Sequence, residues 1–455
     1  METIWTSTCN ITHRRPLMED IETEVAVIGA GMAGILIAYL LQKEGKKVVV
    51  LEANEIGSGQ TGKTTAKITS QHSLIYDEIL KNKGVEYAIQ YARANEKAIR
   101  EYEKIIIEQG IQCDFRKCPS YIYSENVEVM KAEAEAARKA GLDATFTTET
   151  TLPFSVAGAV KIENQAQFHP LLFIKALAEA ITIYENTKVY KVEEHKITTD
   201  NATVIAKHIV FACHYPFMRL SGMYFARMHQ ERSYVITLKN VPQLDGMYLG
   251  VGENGYSFRN YGDYLLFGGG KHRTGENKFG GSYERLREEA KKIFPESEEI
   301  YHWSAQDCMT SDNIPFIGRF SKGKPNWYIA SGFQKWGMTS SMVSAMIIRD
   351  CICNIKNQNA DVFSPNRFSM NDIGEGATTV GKGLKGVGKR ILPFLDKQPK
   401  DRIPIKKVTR WCPHLGCPLE WNPEEKTWDC PCHGSRFDEN GKLIDGPAKY
   451  GIEKK

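Results

Sequence analysis

The sequence predicts an α/β protein that opens on a Rossmann-like unit and closes on a separate small module. Three observations predict this. Thr23–Gly34 is a short apolar strand running into Gly29-x-Gly31-x-x-Gly34, followed by a helical segment, Ile35–Leu41, and a second strand, Lys47–Glu52. Two Cys/His clusters near the C-terminus, Cys412-Pro-His414-Leu-Gly-Cys417 and Cys430-Pro-Cys432-His433-Gly434-Ser435, are too polar in function and too far downstream to belong to that unit. Between them Asn371–Lys400, rich in Gly and Lys, marks a natural boundary.

Composition sets outer limits. A chain of 455 residues has room for two or three domains, and 42% hydrophobic with 25% charged residues is ordinary for a globular protein. A net charge of +4 gives no reason to expect a nucleic-acid partner. No run of about eighteen apolar residues suggests a transmembrane helix. Arg14-Arg15 is followed by an acidic stretch where an export signal needs an apolar core, so a cytoplasmic location is expected. Seven cysteines (Cys9, Cys113, Cys118, Cys213, Cys308, Cys351, Cys353) form no paired framework, as reduced thiols would.

In chain order, residues 1–20 read as an N-terminal extension. In the Rossmann-like unit, Gly29, Gly31 and Gly34 let the backbone approach a pyrophosphate, the helix start offers partial positive charge, and Glu52 binds ribose hydroxyls. The glycine motif alone does not separate NAD from FAD, but its N-terminal position and the segments downstream favour FAD. The small-residue loop Gly57–Lys67, with Thr61, Thr64, Thr65 and Ala66, can bring amides and hydroxyls to phosphate or flavin. Residues 127–141 read as a helix stopped at Gly141 with a solvated charged face. A strand pair is expected from Thr187-Lys-Val189 to the His208–Pro216 segment. Gly268–Gly275 reads as a loop, because neither a helix nor an acid-ended strand follows it as a second nucleotide site would require. Trp327–Thr339 reads as strand, turn at Gly332, and helix start at Gly337-Met338-Thr339, whose amides suit the negative edge of a reduced flavin.

The glycine motif, Thr310-x-Asp312-x-x-Pro315-x-Ile317-Gly318 and Gly332-Phe-x-x-x-Gly337-Met-Thr339 together resemble the D-amino-acid-oxidase-type flavoproteins, which include glycine and sarcosine oxidases. The resemblance implies an FAD-dependent oxidoreductase over about 21–365. Its FAD parts would be 22–74, 161–219 and 301–360, beside an antiparallel substrate sheet from 75–160 and 220–300. It also makes Val189 an FAD contact. Some relatives attach FAD covalently, which makes Cys308 or His72 a weak candidate for such a link.

Two thiolates and two imidazoles in a Cys-x-His, fifteen residues, Cys-x-x-His arrangement suit a mixed-ligand iron-sulfur cluster. A Cys2His2 zinc site would use the same donors. The boxes resemble Rieske proteins of respiratory chains. That resemblance makes Cys412, His414, Cys430 and His433 ligands of a [2Fe-2S] cluster, pairs Cys417 with Cys432 in a disulfide, and makes Gly446-Pro447-Ala448 the loop that walls the cluster. Ser435 falls where the family places a hydroxyl donor to sulfur, whereas Phe437 stands in place of a tyrosine, so a potential below the respiratory type is expected. The module, 406–455 after a linker at 366–405, is short. Its histidines would be exposed. The whole resembles bacterial FAD and Rieske fusion oxidoreductases, an α/β fold with an α+β substrate sheet and an all-β C-terminal module.

The function expected is oxidation of a small amine or amino acid, with electrons passing from FAD to the cluster and on to an unknown one-electron acceptor. Alternatives are a reductase or monooxygenase fed through the cluster, and a redox-sensing binding protein. Tyr256, His272 and Arg273 are the weak candidates for catalysis.

Overall fold

The computed structural model describes residues 2–218, 221–252, 255–367, 372–379, 381–382 and 408–452. A parallel sheet holds the glycine motif. Its order by residue range is 316–321, 324–331, 203–211, 21–28, 48–51, 182–184, with 316–321 antiparallel at the edge. Val25–Ile28 and Val48–Leu51 are buried on both faces, as parallel strands between helix layers must be. Helices Met32–Lys43 and Gly337–Ile352 pack against each other on one face. The expected strand pair forms at 191–193 and 196–198, a few residues beyond Thr187, and the helix ending near Gly141 spans Val127–Lys139.

A second sheet runs in the order 298–310, 228–239, 264–273, 257–261, 247–250, 116–124, 158–167, 67–68. Its pairs are antiparallel except 247–250 with 116–124. Two of its strands, Gly158–Gln167 and Glu298–Thr310, cross the expected limits of the substrate part, and a third, Lys67–Ile68, lies wholly within the expected FAD part. The two long strands run through the expected limits, so no turn signal marks the crossing. Gly268–Arg273 is a further difference, since it lies in strand Tyr264–Arg273 and not in a loop. Three successive glycines have low strand propensity, but Gly268 is paired on both sides and Gly269 with 228–239, while Gly270, with φ +66°, takes up the bulge between them and His272.

The C-terminal module is a four-stranded antiparallel meander, 420–422, 427–429, 436–438 and 443–445. Trp421, Trp428, Phe437, Leu419 and Ile452 form its core. So small a core is marginal alone, and the module leans on the rest of the chain. Glu425, 3% exposed, takes both Arg436 of its own module, at 2.8 Å, and Arg232 of the second sheet, at 2.5 Å. Glu424 accepts from the amides of Ser282 and Tyr283 at 3.1 and 2.7 Å, capping helix Ser282–Ile293, whose own cap residue is a glycine. Tyr450 stacks on Tyr190 at 5.4 Å. Residues 372–379, expected within the linker, are helical and also dock against the second sheet: Asp372 pairs with Arg227, and Glu375 with Arg273. Of the expected linker, 366–405, residues 368–371, 380 and 383–405 lie outside the described residues.

Candidate functional site

One cavity of about 820 Å³ runs between the two large sheets and reaches the C-terminal module. Its walls include Gly29, Gly31, Glu52, Thr61, Thr64, Thr65, Val189, Gly337 and Met338, and also residues 443–449. Gly29 has φ +109°, and a Cβ there would lie 2.6 Å from Ala212 O, so only glycine lets the turn close. Gly31 precedes helix Met32–Lys43 without a side-chain cap, while Thr61 Oγ1 accepts from Met32 N at 2.9 Å and ties the hydroxyl loop to that helix start. Glu52, at the end of strand Val48–Leu51, accepts from Ala30 N at 2.7 Å and Asn54 N at 2.9 Å. Burial pushes its carboxyl above the ordinary range, and the two amides oppose that shift. These features fit FAD: a glycine turn open to close approach, a helix start, and an acid at the strand end.

Four further residues expected to bind the cofactor do not line the cavity but build it. A Cβ on Gly34 would sit 1.8 Å from Gly29 O, so Gly34 sets the helix-to-turn contact. Gly332, with φ +71°, is packed against Thr310. Ala66, buried with φ +54°, turns the loop into strand Lys67–Ile68. Thr339 donates to Thr69 O at 3.0 Å and lies the same distance from His72 Nε2. His72 lines the cavity, but Tyr91 OH and Thr69 O engage its two ring nitrogens at 2.6 Å each, and it stacks on Trp336. Burial lowers its pKa to about 3. Cys308 is buried behind the cavity beside Met228 and Ser331, and burial pushes its thiol up to about 12. Neither residue presents a reactive atom for attaching FAD.

The three candidates for catalysis fare differently from the expectation. None of Tyr256, His272 and Arg273 is among the cavity walls. The strand carrying His272 and Arg273 has left the cavity by then: His272 is held between Tyr234 OH and Arg273 O, and Arg273 donates to Pro431 O and Cys432 O, both at 3.2 Å. Arg273 is thus a docking residue for the C-terminal module. Tyr256 packs on Phe267 and Gly269.

In that module Cys412 and Cys430 are 1% exposed and share a hydrogen bond, and the rings of His414 and His433 lie 4.8 Å apart at right angles. His433 Nε2 donates to Phe225 O at 3.1 Å, while its buried Nδ1 has no hydrogen-bond partner, which is the donor a metal would take. Cys417 and Cys432 form a disulfide whose sulfurs lie within 4.8 Å of Cys430 Sγ. With those two sulfurs bonded to each other, two thiols and two imidazoles remain, a set that fits a [2Fe-2S] cluster. The histidines are not exposed, contrary to expectation: His414 is 5% and His433 2% accessible. Phe225 and the chain's own second sheet cover His433. Gln230 Nε2 donates to His433 O at 2.7 Å, and Gln306 Nε2 donates to Gly434 O at 2.9 Å and to Gln230 Oε1 at 2.7 Å. Gln306 follows Ala305, a cavity wall, so one residue separates the cavity from the cluster loop. Nothing in the sequence singled out Gln230 or Gln306, since isolated glutamines carry no motif.

Ser435 Oγ accepts from Ala448 N at 3.0 Å, which leaves its hydroxyl hydrogen for the Cys412 sulfur. Phe437, fully buried, offers no such donor. Ser435→Ala is expected to lower the cluster midpoint potential in an EPR-monitored redox titration. It is also expected to cost about 1–3 kcal/mol of stability by stranding the Ala448 amide.

Residues 24–351 match the family model for FAD-dependent oxidoreductases, and residues 399–454 match the model for the Rieske [2Fe-2S] domain. The Rieske 2Fe-2S iron-sulfur protein YhfW of Bacillus subtilis (strain 168) is 36% identical, covering 98% of this chain and 96% of its own. The cytochrome b6-f complex iron-sulfur subunit 1 of Nostoc sp. (strain PCC 7120) is 40% identical over 77 residues, 17% of this chain and 41% of that protein. Among solved structures, L-proline dehydrogenase from P. horikoshii matches with a TM-score of 0.64 at 18% identity, covering 77% of this chain and 98% of that one. Glycine oxidase from Geobacillus kaustophilus matches with a TM-score of 0.62 at 20% identity, covering 76% and 99%. The large half binds FAD and the small module a [2Fe-2S] cluster, and no helix among the described residues is long and apolar enough to cross a membrane. The chain belongs to the FAD-dependent oxidoreductase family and carries a Rieske domain at its C-terminal end.

Proposed function

We propose that the protein oxidises a small amine or amino acid and delivers the electrons singly, through the Rieske cluster, to a one-electron acceptor. The observation that carries this reading is the shared cavity. Its walls come from the glycine motif, the second sheet, which forms its roof, and the module's residues 443–449, and Gln306 joins it to the loop of the ligand His433. When bound, FAD supplies two-electron oxidation of a C–H bond, and the cluster supplies a one-electron relay. The chain's task is placement. Gly29, Gly31 and the start of helix Met32–Lys43 would hold the phosphates of bound FAD, and the amides at Gly337 and Met338 would favour negative charge on the ring edge. His433, buried against the flavin half, favours electron entry at that edge of the cluster, so the exit lies elsewhere on the module.

The substrate class is supported by chemistry and fold: glycine oxidase and L-proline dehydrogenase act on amino acids within the same architecture. We assign the protein to the cytoplasm, since its seven cysteines outside the module are unbridged. The test is anaerobic mixing with a panel of amines and amino acids. Bleaching of the flavin absorption followed by the anisotropic EPR signal of a reduced Rieske cluster is expected. A reduced flavin beside an oxidised cluster would overturn the direction of flow, and a panel without any bleaching would overturn the substrate class.

A further inference from the structure

Lys67 lines the cavity from strand Lys67–Ile68 at the edge of the roof sheet, and its side chain is buried. Its Nζ donates to Tyr248 O at 2.7 Å and to Ser257 Oγ at 2.6 Å, using two of the three donors of an ammonium. Both acceptors are neutral. No carboxylate among the described residues lies within ion-pair distance of it, although most buried lysines have such a partner. The charged and titratable groups facing it from the neighbouring strands are Arg259 and Cys118. Arg259 is another buried cation, but it is already spent, bonded to Gln167 Oε1, Thr65 O and Phe168 O. Burial, reinforced by Arg259, brings Lys67 down to about 7.

We propose that Lys67 is the anchor for a carboxylate on the substrate, so that the molecule oxidised is an amino acid and not a neutral-tailed amine. The inference rests on the function proposed above and narrows its substrate class. An isolated ammonium is costly to bury. An incoming carboxylate supplies the missing counter-charge inside a low-dielectric site, where the pair is worth more than at a surface. A neutral amine of the same shape brings no such compensation and leaves the Lys67 ammonium as it was. Because Lys67 loses its proton near neutrality when the site is empty, carboxylate binding is linked to proton uptake above that point. Affinity for the anion then falls about tenfold per pH unit above 7, while affinity for an uncharged analogue does not change.

The experiment uses the flavin-loaded, cluster-loaded protein with benzoate and benzamide as probes, following the perturbation of the flavin absorption spectrum. Wild type is expected to bind benzoate with that pH dependence. Lys67→Met is expected to lose at least about tenfold in benzoate affinity with benzamide unaffected, and Lys67→Arg to retain benzoate binding with the pH dependence moved upward. Benzoate binding unchanged in Lys67→Met would overturn the proposal, as would a wild type that does not bind benzoate. So would a Lys67→Met protein whose flavin midpoint potential shifts while benzoate affinity does not, which assigns the lysine to the flavin. The two readings fail separately. Lys67-dependent benzoate binding without amine-driven bleaching sinks the oxidation reading alone, and bleaching by amino acids with benzoate indifferent to Lys67 sinks this one alone.

Discussion

Glu425→Gln is expected to destabilise docking of the Rieske module by about 3–5 kcal/mol, because it leaves two guanidiniums buried with one carboxylate between them. Arg232 and Arg436 both bond Glu425, Ser304 donates to it as well, and without it Arg436 keeps Asp429 at 3.2 Å and the neutral Thr427 hydroxyl at 3.3 Å. Scanning calorimetry should resolve an early transition for the module, and flavin-to-cluster electron transfer should slow with it. The double variant Arg232→Met with Glu425→Met removes the stranded charge and is expected to recover most of the loss, since apolar replacement of a buried pair is often neutral or better. A double variant no better than the single one would show that the pair itself, and not the unpaired cation, carries the docking.

The same carboxylate sets an acid limit. Burial opposes ionisation of Glu425, but Arg436, Arg232 and the Ser304 hydroxyl outweigh it and hold the group at about 2. A carboxyl whose folded pKa lies below its unfolded value, about 4.3, contributes stability that is fully present above the unfolded value. That contribution is lost as pH falls from there toward 2. Module docking should therefore weaken between those limits, and intramolecular electron transfer should fail before the flavin is released.

The parts of this molecule readable from sequence are those whose chemistry is local. Gly29, Gly31, Gly34 and Glu52 act within one strand-turn-helix-strand unit, and Cys412, His414, Cys430 and His433 within two short loops, so spacing alone exposes them. What was not readable depends on partners far along the chain. Arg273 reads as a catalytic cation until strand Tyr264–Arg273 is seen to carry it past the cavity to Pro431, 158 residues away. The histidines read as exposed because the Rieske family implies it, and the covering groups, Phe225 and Gln230, come from the other half of the protein. Lys67 enters the sequence reading only as the last residue of a hydroxyl-rich loop. Its burial is imposed by Tyr248 and Ser257, 181 and 190 residues downstream, and no local pattern carries that information.

Gly34→Ala is expected to abolish stable FAD binding while leaving the cluster in place, because the collision it creates is with backbone. The added methyl would lie 1.8 Å from Gly29 O and 3.0 Å from Gly29 C, atoms that cannot rotate away as a side chain would. Relief requires helix Met32–Lys43 to move off strand Ile21–Ile28, and that moves the helix start which meets the phosphates. Overpacking a well-filled core commonly costs about 1–3 kcal/mol even where side chains can adjust, so a larger cost is expected at a rigid contact. The docking contacts of the Rieske module, Arg232, Arg273, Tyr190 and the amides of Ser282 and Tyr283 among them, lie off helix Met32–Lys43. The purified variant should thus show the EPR signal of the reduced cluster with little flavin absorbance, whereas Gly323→Ala, at a turn with nothing within 4 Å, should keep both. Full FAD content in Gly34→Ala would mean that the helix can shift without disturbing the phosphate site, and that the close approach of Gly34 to Gly29 is not what holds the helix start against the phosphates.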